Sequence, residues 1–146
     1  MTLKSSLFPG IVSVVSMSAS IATLALRAHP GVVGCPGSSA TGVIDCQAVV
    51  GSAGGHLLGL PLGFWGLVWL AGWWVSRSVF RSRWTRTVSV LGFFGVAYAI
   101  GTEVRVGHLC VWCSLDQVSI ITLSIWGLTH PYANRGFGRE QGNPSS

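Results

Sequence analysis

Four long apolar segments, separated by one long loop and two short ones, make up about half of this chain of 146 residues. They cover roughly residues 8–26, 57–76, 87–104 and 111–129. A helix needs about 20 apolar residues to cross a bilayer, within a range of roughly 17–25, so each segment is long enough to be a span. Four helices joined by loops of roughly 30, 10 and 8 residues should form a compact bundle. The sequence therefore predicts an all-α membrane protein, a bundle of four transmembrane helices in a single domain over residues 1–146.

The composition excludes an ordinary soluble domain. Hydrophobic residues make up 49% of the chain and charged residues only 9%, whereas roughly 25% of the residues of a soluble domain are charged. The net charge of +5 would suit a nucleic-acid ligand, but the basic residues lie in short clusters between apolar segments and form no basic-aromatic stripe. We therefore expect contact with membrane lipid and no contact with nucleic acid.

Basic residues predict the orientation of the bundle, because cytoplasmic loops are enriched in lysine and arginine. With the N-terminus in the cytoplasm, only Arg27 and Arg105 lie outside, and residues 134–146 form a short cytoplasmic tail. The opposite orientation would translocate the arginine-rich loop between the second and third segments. Both termini are therefore predicted to be cytoplasmic. The basic residues on that side are then Lys4, Arg77, Arg81, Arg83, Arg86, Arg135 and Arg139.

The same orientation places all four cysteines outside the cytoplasm. Cys35 and Cys46 lie in the loop after the first segment, and Cys110 and Cys113 form a Cys-x-x-Cys motif where the fourth segment begins. This side of the membrane is the oxidising one in bacteria and in the secretory pathway. Redox chemistry is favoured, but the residues alone leave two alternatives open. One is a purely structural disulfide between the loop cysteines, and the other is a metal site built on the Cys-x-x-Cys motif.

The Cys-x-x-Cys motif has the features of a reactive pair. Cys110 lies at the N-terminus of the fourth helix, where the helix dipole favours a thiolate. Cys113 lies one turn deeper on a similar face of the helix. We therefore expect Cys110 to face water and Cys113 to face the interior of the bundle. That geometry suits electron transfer between a water-soluble thiol and a lipid-soluble acceptor.

The order of these motifs resembles the vitamin K epoxide reductase family over roughly residues 8–130. The resemblance rests on the loop cysteine pair, on the segment VVGSAGGHLLGLPLGFWGLVW and on LCVWC at the start of the last span. It implies a four-helix bundle around a quinone, menaquinone or ubiquinone, that accepts electrons. It also implies that Cys110 and Cys113 are the redox-active pair, and that Cys35 and Cys46 shuttle electrons to them, Cys46 delivering to Cys110. Bacterial relatives oxidise a thioredoxin-fold (DsbA-like) partner, which would here be a separate protein.

Two positions depart from the animal members of that family. Gly54, Gly55 and His56 occupy the stretch in which the animal enzymes have an asparagine for the quinone carbonyl, and Gln117 replaces a tyrosine. These departures favour a bacterial disulfide-forming enzyme. The enzymatic alternative is the reduction of vitamin K epoxide in a lumenal compartment. The alternative of another class is a non-enzymatic membrane protein that is stapled by disulfides or handles a metal.

Four further residues are candidates for quinone binding. Gln117 can donate a hydrogen bond, and Asp116 is an ionisable group in an apolar helix, where such groups usually have a function. Asp116 is either a proton acceptor in quinone reduction or a residue that is solvated or hydrogen-bonded near the aqueous end. Phe64 and Trp112 are aromatic candidates for the wall of the quinone site, with plain packing as the alternative for each.

The sequence therefore predicts a quinone-dependent thiol–disulfide oxidoreductase without a metal. We expect a multi-pass protein of the bacterial cell membrane with its cysteines on the extracytoplasmic face. A reduced thioredoxin-fold protein would reduce the loop disulfide, and the Cys-x-x-Cys pair would pass the electrons to a membrane quinone. Glu103 and Arg105, at the outer end of the third helix, are expected to form an ion pair at the membrane interface.

Overall fold

The computed structural model describes residues 3–29, 31–38, 42–78 and 82–130, so the predicted tail 134–146 lies outside the described residues. A single 3₁₀ turn (Ala53–Gly55) and a two-stranded hairpin, β1 (His56–Leu57) and β2 (Leu60–Pro61), precede the third helix. The described α-helices are α1 (Leu3–Ala28), α2 (Cys46–Gly51), α3 (Leu62–Ser78), α4 (Ser82–Val106) and α5 (Val111–Thr129).

Three of these helices contain stretches that are long and apolar enough to cross a membrane. The stretches are Leu7–Ala28, Arg83–Val106 and Val111–Thr129, and they correspond to the first, third and fourth predicted segments. Helix α3 has 17 residues, at the lower limit of the roughly 17–25 residues that a span requires. The protein is therefore a mostly helical membrane protein.

The second predicted span, residues 57–76, begins later than we expected. The hairpin β1–β2 occupies its first residues, and the two turn residues Leu58 and Gly59 have φ angles of 55° and 80°. Two successive positive φ angles are what a two-residue type I′ turn requires. Pro61 has no N–H to donate, so a helix can begin directly after it but cannot easily run through it. Helix α3 accordingly starts at Leu62.

The four long helices form a bundle in which α1 and α4 each pack against both α3 and α5. Small residues allow close approach. A Cβ atom on Gly63 of α3 would lie 2.8 Å from the carbonyl oxygen of Ser20 on α1. A Cβ atom on Gly92 of α4 would lie 2.7 Å from the Oγ of Ser124 on α5. Such contacts are typical of helix interfaces in membranes, because small residues let the backbones come together.

Two clusters of buried apolar side chains lie towards opposite ends of the bundle. One contains Leu70, Trp73 and Leu123, from the second halves of α3 and α5. The other combines the end of α1 with α2 and the residue before α5, and we call it the cysteine cluster. Its members are Leu26, Cys46, Val49, Val50 and Cys110.

Candidate functional site

A disulfide between Cys35 and Cys46 closes the segment before α2, with the two Cα atoms 5.8 Å apart. Cys46 is the first residue of α2, and the carboxylate of Asp45 caps this helix by accepting a hydrogen bond from the N–H of Ala48 at 3.0 Å. Aspartate is a preferred N-cap because it satisfies an N–H that the helix leaves unpaired. Cys46 is buried, whereas Cys35 is partly exposed. The two sulfur atoms of the bridge therefore differ in accessibility.

The segment that the disulfide bridge closes, Cys35–Cys46, is called the disulfide loop below. Backbone pairing fixes this loop to the start of α5. The N–H of Asp45 donates to the carbonyl oxygen of Leu109 at 3.1 Å, and the N–H of Leu109 donates to the carbonyl oxygen of Val43 at 2.8 Å. These bonds form a short parallel β-bridge. Because Cys46 follows Asp45 and Cys110 follows Leu109, the bridge directs both cysteines into the cysteine cluster.

Cys110 is the N-cap of α5, and its Sγ accepts a hydrogen bond from the N–H of Cys113 at 3.2 Å. Both thiols are free. The prediction that Cys110 faces water is wrong: its side chain is 0% exposed, because α2 and the disulfide loop pack over it. A further hydrogen bond, from the Cys113 thiol, holds the pKa of the Cys110 thiol below its ordinary value despite this burial.

A cavity of about 460 Å³ lies inside the bundle beside Cys113. Its walls are mostly apolar side chains of the hairpin, α3 and α4. The lining residues Phe94 and Tyr98 of α4 are exposed, so the cavity reaches the surface of the bundle beside α4. Helix α5 contributes three chemically active side chains to the wall, those of Cys113, Asp116 and Gln117. The structure thus brings one of the free cysteines and both polar candidates to a single cavity.

Two serines of α1 hold Asp116 inside the bundle. The Oγ of Ser16 donates to Oδ1 at 2.5 Å, and the Oγ of Ser20 donates to Oδ2 at 3.0 Å. Asp116 is only 8% exposed. The hydrogen bonds from the two serines agree with the alternative that Asp116 is hydrogen-bonded, and burial excludes a freely solvated carboxyl group. Its part in proton transfer stays a prediction.

Gln117 donates from Nε2 to the Oε1 of Glu103 at 3.3 Å. Glu103 lies near the end of α4 and is 5% exposed. The expected ion pair of Glu103 with Arg105 is not the arrangement in the structure, because residues two apart on a helix do not face each other. Glu103 points into the bundle, and Arg105 is exposed. We therefore missed Glu103 as a site residue, although an acidic residue in an apolar helix was the available signal.

The two aromatic candidates do not line the cavity. Phe64 is 40% exposed and contacts the ring of Trp65 edge-on, and it is Trp65 that lines the cavity. Trp112 donates its indole N–H to the carbonyl oxygen of Gly34 at 3.1 Å and packs against the cysteine cluster. Neighbouring helical residues point about 100° apart, so composition cannot choose between Phe64 and Trp65. Trp112 instead ties the disulfide loop to α5.

Within residues 3–29, 31–38, 42–78 and 82–130, no group of three or more histidine, cysteine, aspartate or glutamate side chains is placed to hold a metal ion. The nearby His56 has its Nδ1 at 3.0 Å from the carbonyl oxygen of Ser52.

Comparison with known proteins adds one finding. A family model described as the vitamin K epoxide reductase family matches residues 7–128. No curated protein and no solved structure gives a significant match. The matched range includes the disulfide loop, both free cysteines and the residues of α5 that line the cavity. Because the match covers most of the chain, the protein belongs to the vitamin K epoxide reductase family and is a membrane oxidoreductase.

Proposed function

We propose that the protein is a quinone-dependent thiol–disulfide oxidoreductase, which takes electrons from a separate thioredoxin-fold (DsbA-like) protein and passes them to a membrane quinone. The observation that supports this most strongly is the order of the four cysteines from surface to cavity. Cys35 is partly exposed, Cys46 and Cys110 share one buried cluster, and Cys113 lines the cavity. Thiol–disulfide exchange can therefore proceed stepwise from outside to inside.

The exchange begins at the loop disulfide. A thiolate of the partner attacks the Sγ of Cys35, because that of Cys46 is buried, and Cys46 leaves as a thiolate. The second thiol of the partner then attacks the partner's first sulfur atom, which is bonded to Cys35 in the mixed disulfide. The S–S bond to Cys35 breaks, and the partner leaves in the oxidised form. Two electrons now reside on the reduced loop pair.

The second exchange reduces the Cys-x-x-Cys pair. The Cys46 thiolate attacks the Sγ of Cys110 in a Cys110–Cys113 disulfide, and Cys113 leaves as a thiolate. Cys35 then attacks Cys46, which restores the loop disulfide and releases Cys110. The product of these two exchanges has Cys35 bonded to Cys46 and has free thiols at Cys110 and Cys113. This is the bonding pattern of the structure.

The cavity suits the head group of a quinone, menaquinone or ubiquinone. Its volume of about 460 Å³ falls within the roughly 300–1,000 Å³ that is typical of small-molecule sites. The apolar wall suits a planar ring, and Asp116 and Gln117 offer hydrogen-bonding groups for ring oxygens. A bound quinone supplies the oxidant, accepting two electrons and two protons as the two thiols close to a disulfide. The exposed, apolar side of the cavity at α4 suits a ligand that is dissolved in lipid.

We infer that α3 also crosses the membrane. Helices α1 and α4 both end near the cysteine cluster and α3 begins near it, so α3 has to reach the opposite end before α4 can return. Its 17 residues extend about 26 Å at 1.5 Å per residue, close to the roughly 30 Å of a hydrocarbon core. With four spans, the bias of basic residues supports cytoplasmic termini. The cysteine cluster would then lie on the extracytoplasmic side of a bacterial cell membrane.

Purified protein in lipid nanodiscs tests the proposed function. With a reduced DsbA-like protein and a short-chain menaquinone or ubiquinone analogue, we expect a steady loss of the quinone absorbance. Cys113→Ala should abolish this reaction. Val118→Ala, a change at an exposed position of the same helix, should leave it intact. The proposal fails if the wild-type protein reduces no quinone, or if Cys113→Ala reduces it at the wild-type rate.

A further inference from the structure

The site contains a second buried carboxyl group, that of Glu103, which the relay described above does not use. Its Oε1 accepts the hydrogen bond from Gln117, and the backbone N–H of Cys110 also points to this carboxyl group. Glu103 therefore lies between Cys110, which carries one of the reactive thiols, and Gln117 in the wall of the large cavity. An ionisable group inside a span is costly to bury and usually has a function.

A small cavity lies between Glu103 and Cys113. It has a volume of about 30 Å³, and its lining includes Glu103 and Cys113. One water molecule needs about 10–15 Å³ of such a cavity, so the small cavity can hold a water molecule between polar groups. Cys113 also lines the large cavity. The Cys113 thiol is therefore shared by two cavities, with Glu103 in the wall of the smaller and Asp116 in the wall of the larger.

We propose that Glu103 is a proton-transfer residue of the Cys110–Cys113 pair. This assignment rests on the proposed function. When the pair is reduced, one proton is held on the Cys113 thiol, which hydrogen-bonds the Cys110 thiolate. The second proton is held on the Glu103 carboxyl group. The buried site then carries one negative charge instead of two adjacent ones, which a low-dielectric environment tolerates better.

The same protonation states supply the two protons that the oxidative step needs. With a quinone bound in the large cavity, the S–S bond would form as the S–H bond of Cys113 breaks, and the Cys110–Cys113 pair would give up two electrons to the quinone together with the Cys113 proton. The Cys113 proton would pass to a ring oxygen by way of Asp116, which lines the same cavity, and the second proton would come from Glu103. The proton of Glu103 travels through the small cavity. After this step Glu103 is a carboxylate again and can receive a proton in the next cycle.

A purely structural Glu103 would only anchor Gln117 at the cavity wall. Glu103→Gln separates the two roles, because its amide oxygen can accept the same hydrogen bond but cannot hold the proton. Glu103→Asp is the conservative variant, since it keeps an exchangeable proton on a shorter side chain. Both variants can be compared with the wild-type protein in nanodiscs, after thermal unfolding has verified their folding.

The decisive experiment measures a single turnover of pre-reduced protein with a short-chain quinone analogue. We expect Glu103→Gln to slow the reaction about 100-fold, at the lower end of the range for acid–base catalysis, with an unchanged KM for the quinone. Glu103→Asp should recover part of the rate. Reduced wild-type protein should also show thiolate absorbance in the ultraviolet at neutral pH. Reduced Glu103→Gln should keep it, because the hydrogen bond from Cys113 that stabilises the Cys110 thiolate is unchanged, so that only proton transfer is lost.

Two outcomes overturn the proposal. One is a Glu103→Gln variant with the turnover of the wild type. The other is an equal loss in both variants with a raised KM, which would limit Glu103 to anchoring Gln117. Wild-type protein that fails to reduce quinone would instead contradict the proposed function, so the two failures are distinguishable.

Discussion

Ser16 on α1 and Asp116 on α5 are joined across the bundle by a hydrogen bond of 2.5 Å from the serine Oγ to the carboxyl Oδ1. Ser20, one turn further along α1, holds the other carboxyl oxygen at 3.0 Å. The two serines fix the carboxyl group at the wall of the large cavity, one turn below Cys113. A carboxyl group in that position can exchange a proton with a molecule bound in the cavity.

Asp116→Asn should therefore slow quinone reduction by about 100-fold, at the lower end of the range for acid–base catalysis. Asparagine has the same size and can accept a hydrogen bond from Ser16, but it cannot exchange the proton. The rate of quinone reduction by pre-reduced protein, measured across the pH range, checks this expectation. Ser18→Ala, at an exposed position of α1, is the matched control. A full rate at every pH in Asp116→Asn would remove Asp116 from the reaction.

A mixed disulfide between the two buried cysteines should form in a variant that cannot complete the relay. In Cys35→Ala/Cys113→Ala, only Cys46 and Cys110 remain, and both belong to the cysteine cluster. We expect mild oxidation to join them in most molecules, as detected by mass spectrometry of the linked peptides. In Cys46→Ala/Cys113→Ala the remaining Cys35 lies nearer the surface, so linkage to Cys110 should be several-fold slower. Equal linkage in both variants would contradict the assigned order of the relay.

Removal of the Cys113 thiol should shift the titration of Cys110. The hydrogen bond from Cys113 lowers the pKa of Cys110, so the wild-type thiolate persists below the ordinary thiol pKa of about 8.5. In Cys113→Ala this stabilisation is lost, so the pKa of Cys110 should rise. On lowering the pH, the thiolate of the variant should therefore become protonated at a higher pH than that of the wild type. Ultraviolet absorbance of the thiolate against pH measures the shift, with Cys110→Ala as the baseline. Superimposable titration curves for wild type and Cys113→Ala would show that Cys113 does not stabilise the Cys110 thiolate.

Two glycines of α3 should respond differently to a methyl group. In Gly63→Ala the new Cβ would lie 2.8 Å from the carbonyl oxygen of Ser20, so α1 and α3 must separate, at a cost of about 1–3 kcal/mol in the free energy of unfolding. Gly72 has no atom within 4 Å of the corresponding position. Gly72→Ala should be neutral or stabilising by up to about 1 kcal/mol, because alanine favours helix. Unfolding in detergent compares the two, and equal stabilities would argue against the close contact.

The sequence predicts the parts of this molecule that depend on local composition. Helices α1, α4 and α5 coincide with long apolar segments, because an apolar stretch of that length forms a spanning helix with its backbone satisfied internally. The start of α3 could not be found in this way. An apolar run such as HLLGLPLG has the hydropathy of a span, and only the positive φ angles at Leu58 and Gly59 reveal the hairpin.

Features that depend on distant pairing were the ones we missed. The N-cap position of Cys110 follows from its place at the start of an apolar segment. Its burial does not, because the cover comes from the pairing of residues 43–45 with Leu109. The position of Glu103 was missed for the same reason. Its partner Gln117 belongs to the next helix, so the sequence around Glu103 suggested only a place at the membrane interface. Side-chain direction is decided by packing between elements, and composition carries little information about it.

The complete burial of Cys110 also restricts which reductants can use the protein. Small soluble thiols, such as glutathione, cannot reach a sulfur atom that α2 and the disulfide loop cover. They can donate electrons only by way of the more exposed Cys35, whose neighbouring surface a larger protein can recognise. The cover over Cys110 thus acts as a selectivity barrier, which keeps the electron supply of the inner pair under the control of the loop.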